Sequence, residues 1–276
     1  FFINLWIHEP HTPFHVDPKL QKRFAKLGEK DAIYAATLFH ADLRIGQLLD
    51  ALDRLKITNN TLVIFSSDNG PARGAPDAPL TLGYDSATGL GYGIAAAKGI
   101  TGGRKGYKAA LFEGGIGVPF IARWPGKIAA GKVDKTSIFS AVDLLPTFCE
   151  IAGVKLPASY RPDGVSQVET LQGNGKALRE KPLFWKTIAP WPARKTKSDH
   201  WVSYAVVSKN WKLVANRDAG YVELYDLVTD PLEKNDLKEK HPKVVKELTK
   251  TLEQWQTTLP PEPTGNVFSN LRNPKK

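Results

Sequence analysis

A short apolar run that ends directly at polar turn residues constrains the fold of this chain more than any other stretch. Residues 62–65 read Leu-Val-Ile-Phe and are bounded by turn residues, which predicts a fully buried strand. Asp68 and Asn69 follow where that strand ends. Ligands of open α/β sheets bind at the carboxyl ends of strands, and carboxylate and amide oxygens suit Ca²⁺ or Mg²⁺. The pattern indicates a metal site, with an Asn-Gly turn beside a solvated Asp as the alternative.

The first part of the chain predicts an α/β fold. Residues 1–7 form a nearly continuous apolar run, which is typical of a parallel strand covered on both faces. A helix over 31–56 and a strand over 61–66 follow, and this order predicts two parallel neighbouring strands. We therefore expect part of a large, mostly parallel sheet flanked by helices. The helix carries one apolar stripe, made of Tyr34, Leu38, Ala41, Ile45, Leu48, Leu52 and Leu55.

The chain changes character after residue 176. Short aromatic-rich runs separated by turns predict a smaller antiparallel sheet, and an amphipathic helix within 241–255 is expected to cover one face of it. The chain from residue 260 onward is polar and proline-rich, so an irregular tail is expected. The predicted units are therefore 1–176, 177–259 and 260–276.

Three of the six histidines lie in one loop. Two prolines break any regular element directly after the first apolar run, so His8, His11 and His15 are expected on a loop at a strand end. A histidine there could bind an anion or transfer a proton, or it could only pack against the turn.

A second loop combines cations with glycines. Lys105 and Lys108 lie among glycines within 102–108, which permits close approach to an anion, although such loops are also commonly only solvated. The long stretch 70–103 is rich in Gly, Ala and Pro and predicts a substrate-facing loop. Arg73, near its start, could contact an anion.

Charge and cysteine content favour some functions and exclude others. With 38 Lys and Arg against 28 Asp and Glu, the net charge is +10, which favours acidic partners such as an anionic glycan. The basic residues are scattered and form no recognised nucleic-acid motif, so no nucleic-acid partner is expected. Cys149 is the only cysteine, which excludes an internal disulfide, and it is expected to be buried in a helix capped by Asp143 and Gly153. No apolar run is long enough to span a bilayer.

Three motifs follow one another along the chain in a specific order. They are Pro10-His11-Thr12-Pro13, Ser67-Asp68-Asn69-Gly70, and Gly106-Tyr107-Lys108 continuing to Glu113-Gly114-Gly115. Together they resemble the later part of a type I, formylglycine-dependent sulfatase of the alkaline phosphatase superfamily, such as arylsulfatases and N-acetylgalactosamine-6-sulfatases. The resemblance spans nearly the whole chain.

The resemblance implies a role for each motif. Asp68 and Asn69 match two of the family's metal ligands, usually for Ca²⁺, with Mg²⁺ possible. His11 matches the histidine that holds the sulfate and protonates the leaving alcohol, and Lys108 matches a lysine that binds a sulfate oxygen. Lys105 is a rival for that lysine's role, and His8 is a further candidate for substrate contact.

The resemblance also implies that this chain is a piece of a longer protein. The family's nucleophile is a formylglycine made in a Cys/Ser-x-Pro-x-Arg motif, which does not occur here, and the sequence around Cys149 does not fit it. The upstream metal-binding Asp pair is also missing, and Gly117 stands where the family usually has Arg. The N-terminal part is therefore an expected partner, and the isolated fragment is expected to be inactive.

The implied full-length protein is a periplasmic or secreted sulfatase that acts on a sulfated carbohydrate or an aryl sulfate. Two alternatives stay open at this point. One is a phosphodiesterase or phosphonate hydrolase of the same superfamily, and the other is a non-catalytic protein that binds sulfated glycan.

Overall fold

Six α-helices and eight strands form the regular structure of the described residues, which are 1–85, 89–175, 179–187, 202–216 and 220–260 of this computed structural model. The helices are α1 (Pro18–Arg23), α2 (Glu29–Arg54), α3 (Glu113–Ile116), α4 (Leu144–Ile151), α5 (Val168–Gln172) and α6 (Pro242–Gln256). The strands are β1 (Val63–Ser66), β2 (Leu82–Asp85), β3 (Gly89–Tyr92), β4 (Phe120–Arg123), β5 (Leu183–Lys186), β6 (Tyr204–Ser208), β7 (Trp211–Ala215) and β8 (Val222–Asp226).

The predicted parallel pairing is not seen in the described residues. β1 pairs antiparallel with β4, and residues 1–7 carry no regular secondary structure. Phe1 and Trp6 are 86% and 87% exposed, and Phe65 of β1 is 44% exposed. A strand needs a neighbour to satisfy its backbone groups, and within the described residues the run 1–7 has none.

The long helix of the first part is confirmed as α2, but its buried face follows the predicted stripe only in part, since Leu52 is buried and Tyr34 packs against a core cluster. Leu38 of that stripe is 42% exposed, and Leu55 is 62% exposed just beyond the helix end. The helix instead packs its first turns against the loop after the histidines and against the short 3₁₀ helix Ile94–Ala96. The buried residues of α2 are Ala32, Ile33, Ala36, Thr37 and Leu52.

The C-terminal antiparallel sheet is confirmed, with strand order β5-β6-β7-β8. Lys209 and Asn210 form the two-residue turn between β6 and β7. α6 covers one face of this sheet, where the ring of Trp255 stacks on that of Phe184 at 4.9 Å. Alternating apolar side chains of β6, β7 and β8 fill the space beneath the helix.

The opposite face of the same sheet packs against the glycine-rich basic loop. Leu111 and Phe112 are buried there against Ala205, Val214 and Tyr225. The C-terminal sheet is thus enclosed between α6 and the segment that leads into α3. This second packing face fixes the loop that carries Lys105 and Lys108.

Asp143 occupies the predicted N-cap position of α4, but its side chain makes no capping hydrogen bond there. It is fully buried, its carboxylate accepts two hydrogen bonds of 2.7 and 2.8 Å from Arg179, and its side chain also accepts from the backbone of Ser140. Gly153 does end α4 in the expected left-handed conformation, with φ +67°. Cys149 is half-buried rather than fully buried.

Two further predicted segments lie partly outside the described residues. The tail predicted over 260–276 lies outside them from residue 261 onward, as does residue 201 of one predicted run.

Among the helices that the structure describes, none has both the length and the apolar character that a bilayer crossing requires.

Candidate active site

Asp68 and Asn69 lie just after β1, with Ser67 between the strand and Asp68. The Asn69 amide nitrogen donates to the Gly70 carbonyl at 2.9 Å, which leaves the amide oxygen without a hydrogen bond in the described chain. The Asn69 backbone N–H donates to one oxygen of the exposed Asp68 carboxylate at 2.9 Å. Both side chains therefore keep an oxygen available for a hard cation such as Ca²⁺.

The oxygens of two side chains are fewer than a Ca²⁺ shell requires. Across the described ranges, no group of three or more His, Cys, Asp and Glu side chains is arranged to hold a metal ion. Because Ca²⁺ takes six to eight oxygen ligands, the remaining ligands must come from elsewhere.

The loop that carries Lys108 is joined to this segment by backbone hydrogen bonds. The Lys108 N–H donates to the Pro71 carbonyl at 2.8 Å, and the Gly70 N–H donates to the Gly115 carbonyl at 2.7 Å. The Lys108 side chain is exposed, and its ammonium makes no hydrogen bond or ion pair with the described residues. The predicted metal ligands and the predicted anion-binding lysine thus lie on adjoining segments, with the ammonium available to a ligand.

Close backbone packing explains why the Glu-Gly-Gly element carries two glycines. A Cβ added at Gly114 would lie 2.2 Å from the Gly106 carbonyl oxygen, and one at Gly115 would lie 2.2 Å from that of Ala110. A Cβ at Gly70 would lie 2.0 Å from the Gly114 carbonyl oxygen. Real Cβ atoms do not approach carbonyl oxygens this closely, so only glycine allows the segments to meet.

The histidine loop presents one ring nitrogen of His11 to solvent. The His11 backbone N–H donates to the His8 carbonyl at 2.8 Å, and its Nδ1 lies 2.6 Å from the Thr12 carbonyl oxygen. Because a carbonyl oxygen can only accept, Nδ1 carries the hydrogen and Nε2 is the nitrogen left for a ligand. The ring of His8 lies 5.7 Å from that of His11 and 6.3 Å from that of His15.

A chain of contacts leads from the histidine loop to the other two segments. Phe14, buried just after His11, packs edge-on against Tyr34 at 5.9 Å. A Cβ at Gly99 would lie 3.3 Å from the Tyr34 hydroxyl and 2.5 Å from the Pro71 side chain. The histidine loop is therefore linked, through packing around Tyr34 of α2, to the segment of Pro71, which bonds to the Lys108 loop. Among the described residues, no hydrogen bond or ion pair joins the side chains of His11, Asp68 and Lys108 directly.

The remaining predicted anion contacts fall into two places. The Arg73 guanidinium lies 5.6 Å from the Tyr107 ring, next to Lys108, and is exposed. Lys105 instead faces the C-terminal sheet, where its ammonium lies 2.7 Å from Glu223 and 2.9 Å from the Tyr225 hydroxyl. An ammonium with these partners is less available to a substrate than that of Lys108.

Lys105 is held in place by a hydrogen-bonded network of Glu223, Tyr225 and Tyr221. Burial opposes ionisation of Glu223, but hydrogen bonds from Lys105 and the two tyrosines outweigh it and hold the pKa of the carboxyl below its usual value. Burial, followed by the hydrogen bond to Glu223, raises the pKa of Tyr225. Lys105 is therefore part of a charged network that faces the protein interior.

Sequence reasoning missed the buried charges behind the basic loop. Lys212, Glu223 and Glu233 are each less than a tenth exposed. The one signal that could have found them is Lys212 itself, since a lysine inside the otherwise apolar run 211–215 must be paired if the strand is buried.

Two protein-family models match this chain. The family model for sulfatases matches residues 1–154, and that for the C-terminal region of N-sulphoglucosamine sulphohydrolase matches residues 104–258. The chain is 29% identical over 271 residues to N-acetylgalactosamine-6-O-sulfatase of Bacteroides thetaiotaomicron, covering 93% of this chain and 47% of that protein. It is 30% identical over 185 residues to human arylsulfatase A, covering 67% of this chain and 31% of that one.

Solved structures give the same result for the fold. A structure from work on glycosaminoglycan metabolism by Bacteroides thetaiotaomicron matches with a TM-score of 0.67 at 26% identity, covering 91% of this chain and 49% of that one. The chain thus spans about half the length of such relatives, or less. The large parallel sheet is not seen in the described residues, but the fold class is α/β. With both family models matching more than half of its residues, the chain belongs to the sulfatase family.

Proposed function

We propose that the full-length protein hydrolyses a sulfate ester and that this chain supplies the later half of the active site. The observation that carries the proposal is the backbone junction of two segments, in which Gly70 bonds to Gly115 and Lys108 bonds to Pro71. These hydrogen bonds support the proposal because they join the segment that carries Asp68 and Asn69 to the loop that carries Lys108, whose ammonium has no partner among the described residues.

Each residue has a distinct task in the proposed reaction. Asp68 and Asn69 would hold Ca²⁺, with Mg²⁺ as the substitute, and the cation supplies positive charge to the sulfuryl oxygens. Lys108 stabilises the charge on a sulfate oxygen, since a fixed ammonium is most effective in a site partly closed to water. His11 in its imidazolium form, with hydrogens on both ring nitrogens, would hold the sulfate through the Nε2 N–H and donate that proton to the leaving oxygen. Arg73 and His8 contact the substrate beyond the sulfate.

The substrate proposed is a sulfated carbohydrate, with aryl sulfates as simple analogues. Several of the relatives are named for amino-sugar sulfates, and the net charge of +10 favours a polyanionic ligand. We also propose a periplasmic or secreted location, which rests on the family resemblance.

The nucleophile, a formylglycine by resemblance to the family, and the remaining metal ligands are proposed to come from the other half of the protein. The apolar side chains of the run 1–7, with Phe65 and Ile121, are exposed here and would be covered by that half. The isolated chain is therefore expected to be inactive.

The function is tested by assaying the full-length protein and the isolated chain on an aryl sulfate and on an aryl phosphodiester. We expect sulfate release by the full-length protein, loss of this activity with a chelator, and no turnover by the isolated chain. Turnover of the phosphodiester without turnover of the aryl sulfate would contradict the proposal in favour of phosphoryl chemistry. Binding of a sulfated glycan without any turnover would favour a non-catalytic role.

The metal ligands make a separate prediction. Replacing Asp68→Ala in the full-length protein should weaken Ca²⁺ binding by about 100-fold, because a charged ligand is lost from the shell. Asp77→Ala is the matched control, since Asp77 is exposed in the following loop and is not a proposed ligand. Isothermal titration with Ca²⁺ measures both variants, and equal affinities would remove Asp68 from the site.

A further inference from the structure

A buried charge cluster lies directly behind the loop that carries Lys108. Lys212 is fully buried on β7, and its ammonium lies 2.8 Å from Glu113 and 2.8 Å from Glu233. Glu233 is 2% exposed. One cation thus joins the start of α3, the C-terminal sheet and the turn after β8.

The cluster faces the site rather than α6. On β7, Leu213 and Ala215 point into the core beneath α6, whereas Val214 packs with the segment that leads into α3. Lys212 shares the Val214 face because side chains alternate along a strand. Its ion pair with Glu113 therefore reaches across the packing between the sheet and the loop.

Backbone contacts connect the cluster to the proposed sulfate site. The Glu113 N–H donates to the second oxygen of Glu233 at 2.6 Å. The next residue, Gly114, donates to the Lys105 carbonyl at 2.6 Å, and the Gly115 carbonyl accepts from Gly70 at 2.7 Å. Only one residue thus separates Glu113 from the hydrogen bond that holds the metal-ligand segment.

An ion pair also holds the other end of the loop, at Lys105. Lys105 is paired with Glu223 at 2.7 Å and lies over the Phe112 ring at 4.3 Å. Lys108 stands between these two anchors, exposed and without a described partner, and the next residue, Ala109, has a left-handed φ of +75°. The strained turn needs support from its surroundings to persist.

Stability alone does not account for buried charges of this kind. Burying an ammonium with two carboxylates carries a desolvation cost that well-packed apolar side chains would avoid. Such a cluster instead fixes the positions of the segments that carry it. The Lys212 ammonium meets both carboxylates only when the three segments are in one arrangement.

We propose that Lys212, together with Glu113 and Glu233, is a positioning residue that sets the place of Lys108 against Asp68 and Asn69. The inference rests on the proposed function of that site. Lys212 itself does not touch the sulfate, and its effect passes through the Glu113-Gly114-Gly115 backbone.

The test compares Lys212→Met with Leu248→Ala in the full-length protein. Met keeps the length and apolar stem of Lys212 without its charge, and Leu248→Ala weakens the opposite, α6 side of the same sheet. Two readouts are used: hydrogen exchange at the Gly70 and Lys108 amides, which form the junction, and kcat and KM on an aryl sulfate. For Lys212→Met we expect exchange at both amides to rise by about tenfold. We also expect kcat to fall by about 10- to 100-fold, with a smaller change in KM.

The control decides between positioning and plain destabilisation. Leu248→Ala should lower the unfolding temperature. The hydrogen-exchange rates of the Gly70 and Lys108 amides, and kcat, should stay within about twofold of the wild-type values. If Lys212→Met matches Leu248→Ala in both readouts, the proposal is overturned. If Lys212→Met does not fold, Glu233→Gln is measured instead, and unchanged exchange at both amides overturns the proposal.

The two readouts also separate this proposal from the proposed function. If the wild-type protein has no sulfatase activity but Lys212→Met still raises exchange at both amides, the function is wrong and the positioning by Lys212 stands. If activity is present and Lys212→Met changes neither readout, the positioning is wrong and the function stands.

Discussion

Replacing Lys108→Met in the full-length protein is expected to lower kcat/KM for an aryl sulfate by about 10²- to 10³-fold, the usual cost of removing one oxyanion-stabilising group. The Lys108 side chain is exposed and has no hydrogen bond or ion pair with the described residues, so none of these residues loses a partner when it is removed. The Lys108 hydrogen bond to the rest of the site, as far as the structure describes it, is made by its backbone N–H. The loss should therefore appear in kinetics and leave the unfolding temperature nearly unchanged.

Lys105→Met is the matched control for this prediction. It makes the same substitution three residues earlier, but it removes the partner of a largely buried Glu223. A carboxylate left unpaired in a buried place costs stability, so this variant should unfold at a lower temperature. Steady-state kinetics and thermal unfolding of both variants check the assignment. If Lys105→Met were the stable variant with the greater loss of kcat/KM, Lys105 would be the sulfate-binding lysine.

The second large effect is expected from Gly114→Ala. The new Cβ would lie 2.2 Å from the Gly106 carbonyl oxygen and 2.5 Å from that of Lys105, and backbone atoms cannot move aside as a flexible side chain can. Gly114 and the backbone of residues 105–106 must therefore move apart, which displaces the loop. We expect a loss of unfolding free energy of about 3 kcal/mol, at the upper end for an overpacked site. We also expect kcat/KM to fall by at least about 100-fold, because Lys108 shifts with the loop.

Gly46→Ala provides the control for that substitution. Gly46 lies inside α2 with open space where its Cβ would be, so alanine there should stabilise the protein by up to about 1 kcal/mol. Chemical denaturation and aryl sulfate hydrolysis measure both variants. If Gly114→Ala were as stable and as active as Gly46→Ala, close packing at this junction would not matter to the site.

The C-terminal sheet could be predicted because its information is local. Short strands joined by turns, such as the turn at Lys209 and Asn210, pair with their sequence neighbours, and the predicted meander has the observed order. The first sheet could not be predicted in this way. The strand expected over 1–7 has no neighbour among the described residues, and β1 pairs with β4, more than fifty residues away along the chain.

Only those residues of the candidate site that belong to recognisable sequence motifs could be predicted. The order of the motifs around His11, Asp68 and Lys108 gave the family, which comparison confirms, but their joint action on one sulfate stays a prediction. The partners that hold the loop lie about a hundred residues away, as with Lys212 and Glu113. Spacing and periodicity carry no information on pairs this distant, so a buried lysine in an apolar strand was the one available sign.

The most direct test of the account is a crystal structure of the full-length protein with Ca²⁺ and sulfate. We predict a metal peak with the Asp68 and Asn69 side-chain oxygens at about 2.3–2.6 Å, the range for Ca²⁺ ligands. The sulfate should accept hydrogen bonds of about 2.7–3.2 Å from the Lys108 ammonium and from the His11 ring. A sulfate or metal bound elsewhere, with the Lys108 ammonium directed away from Asp68, would contradict the account.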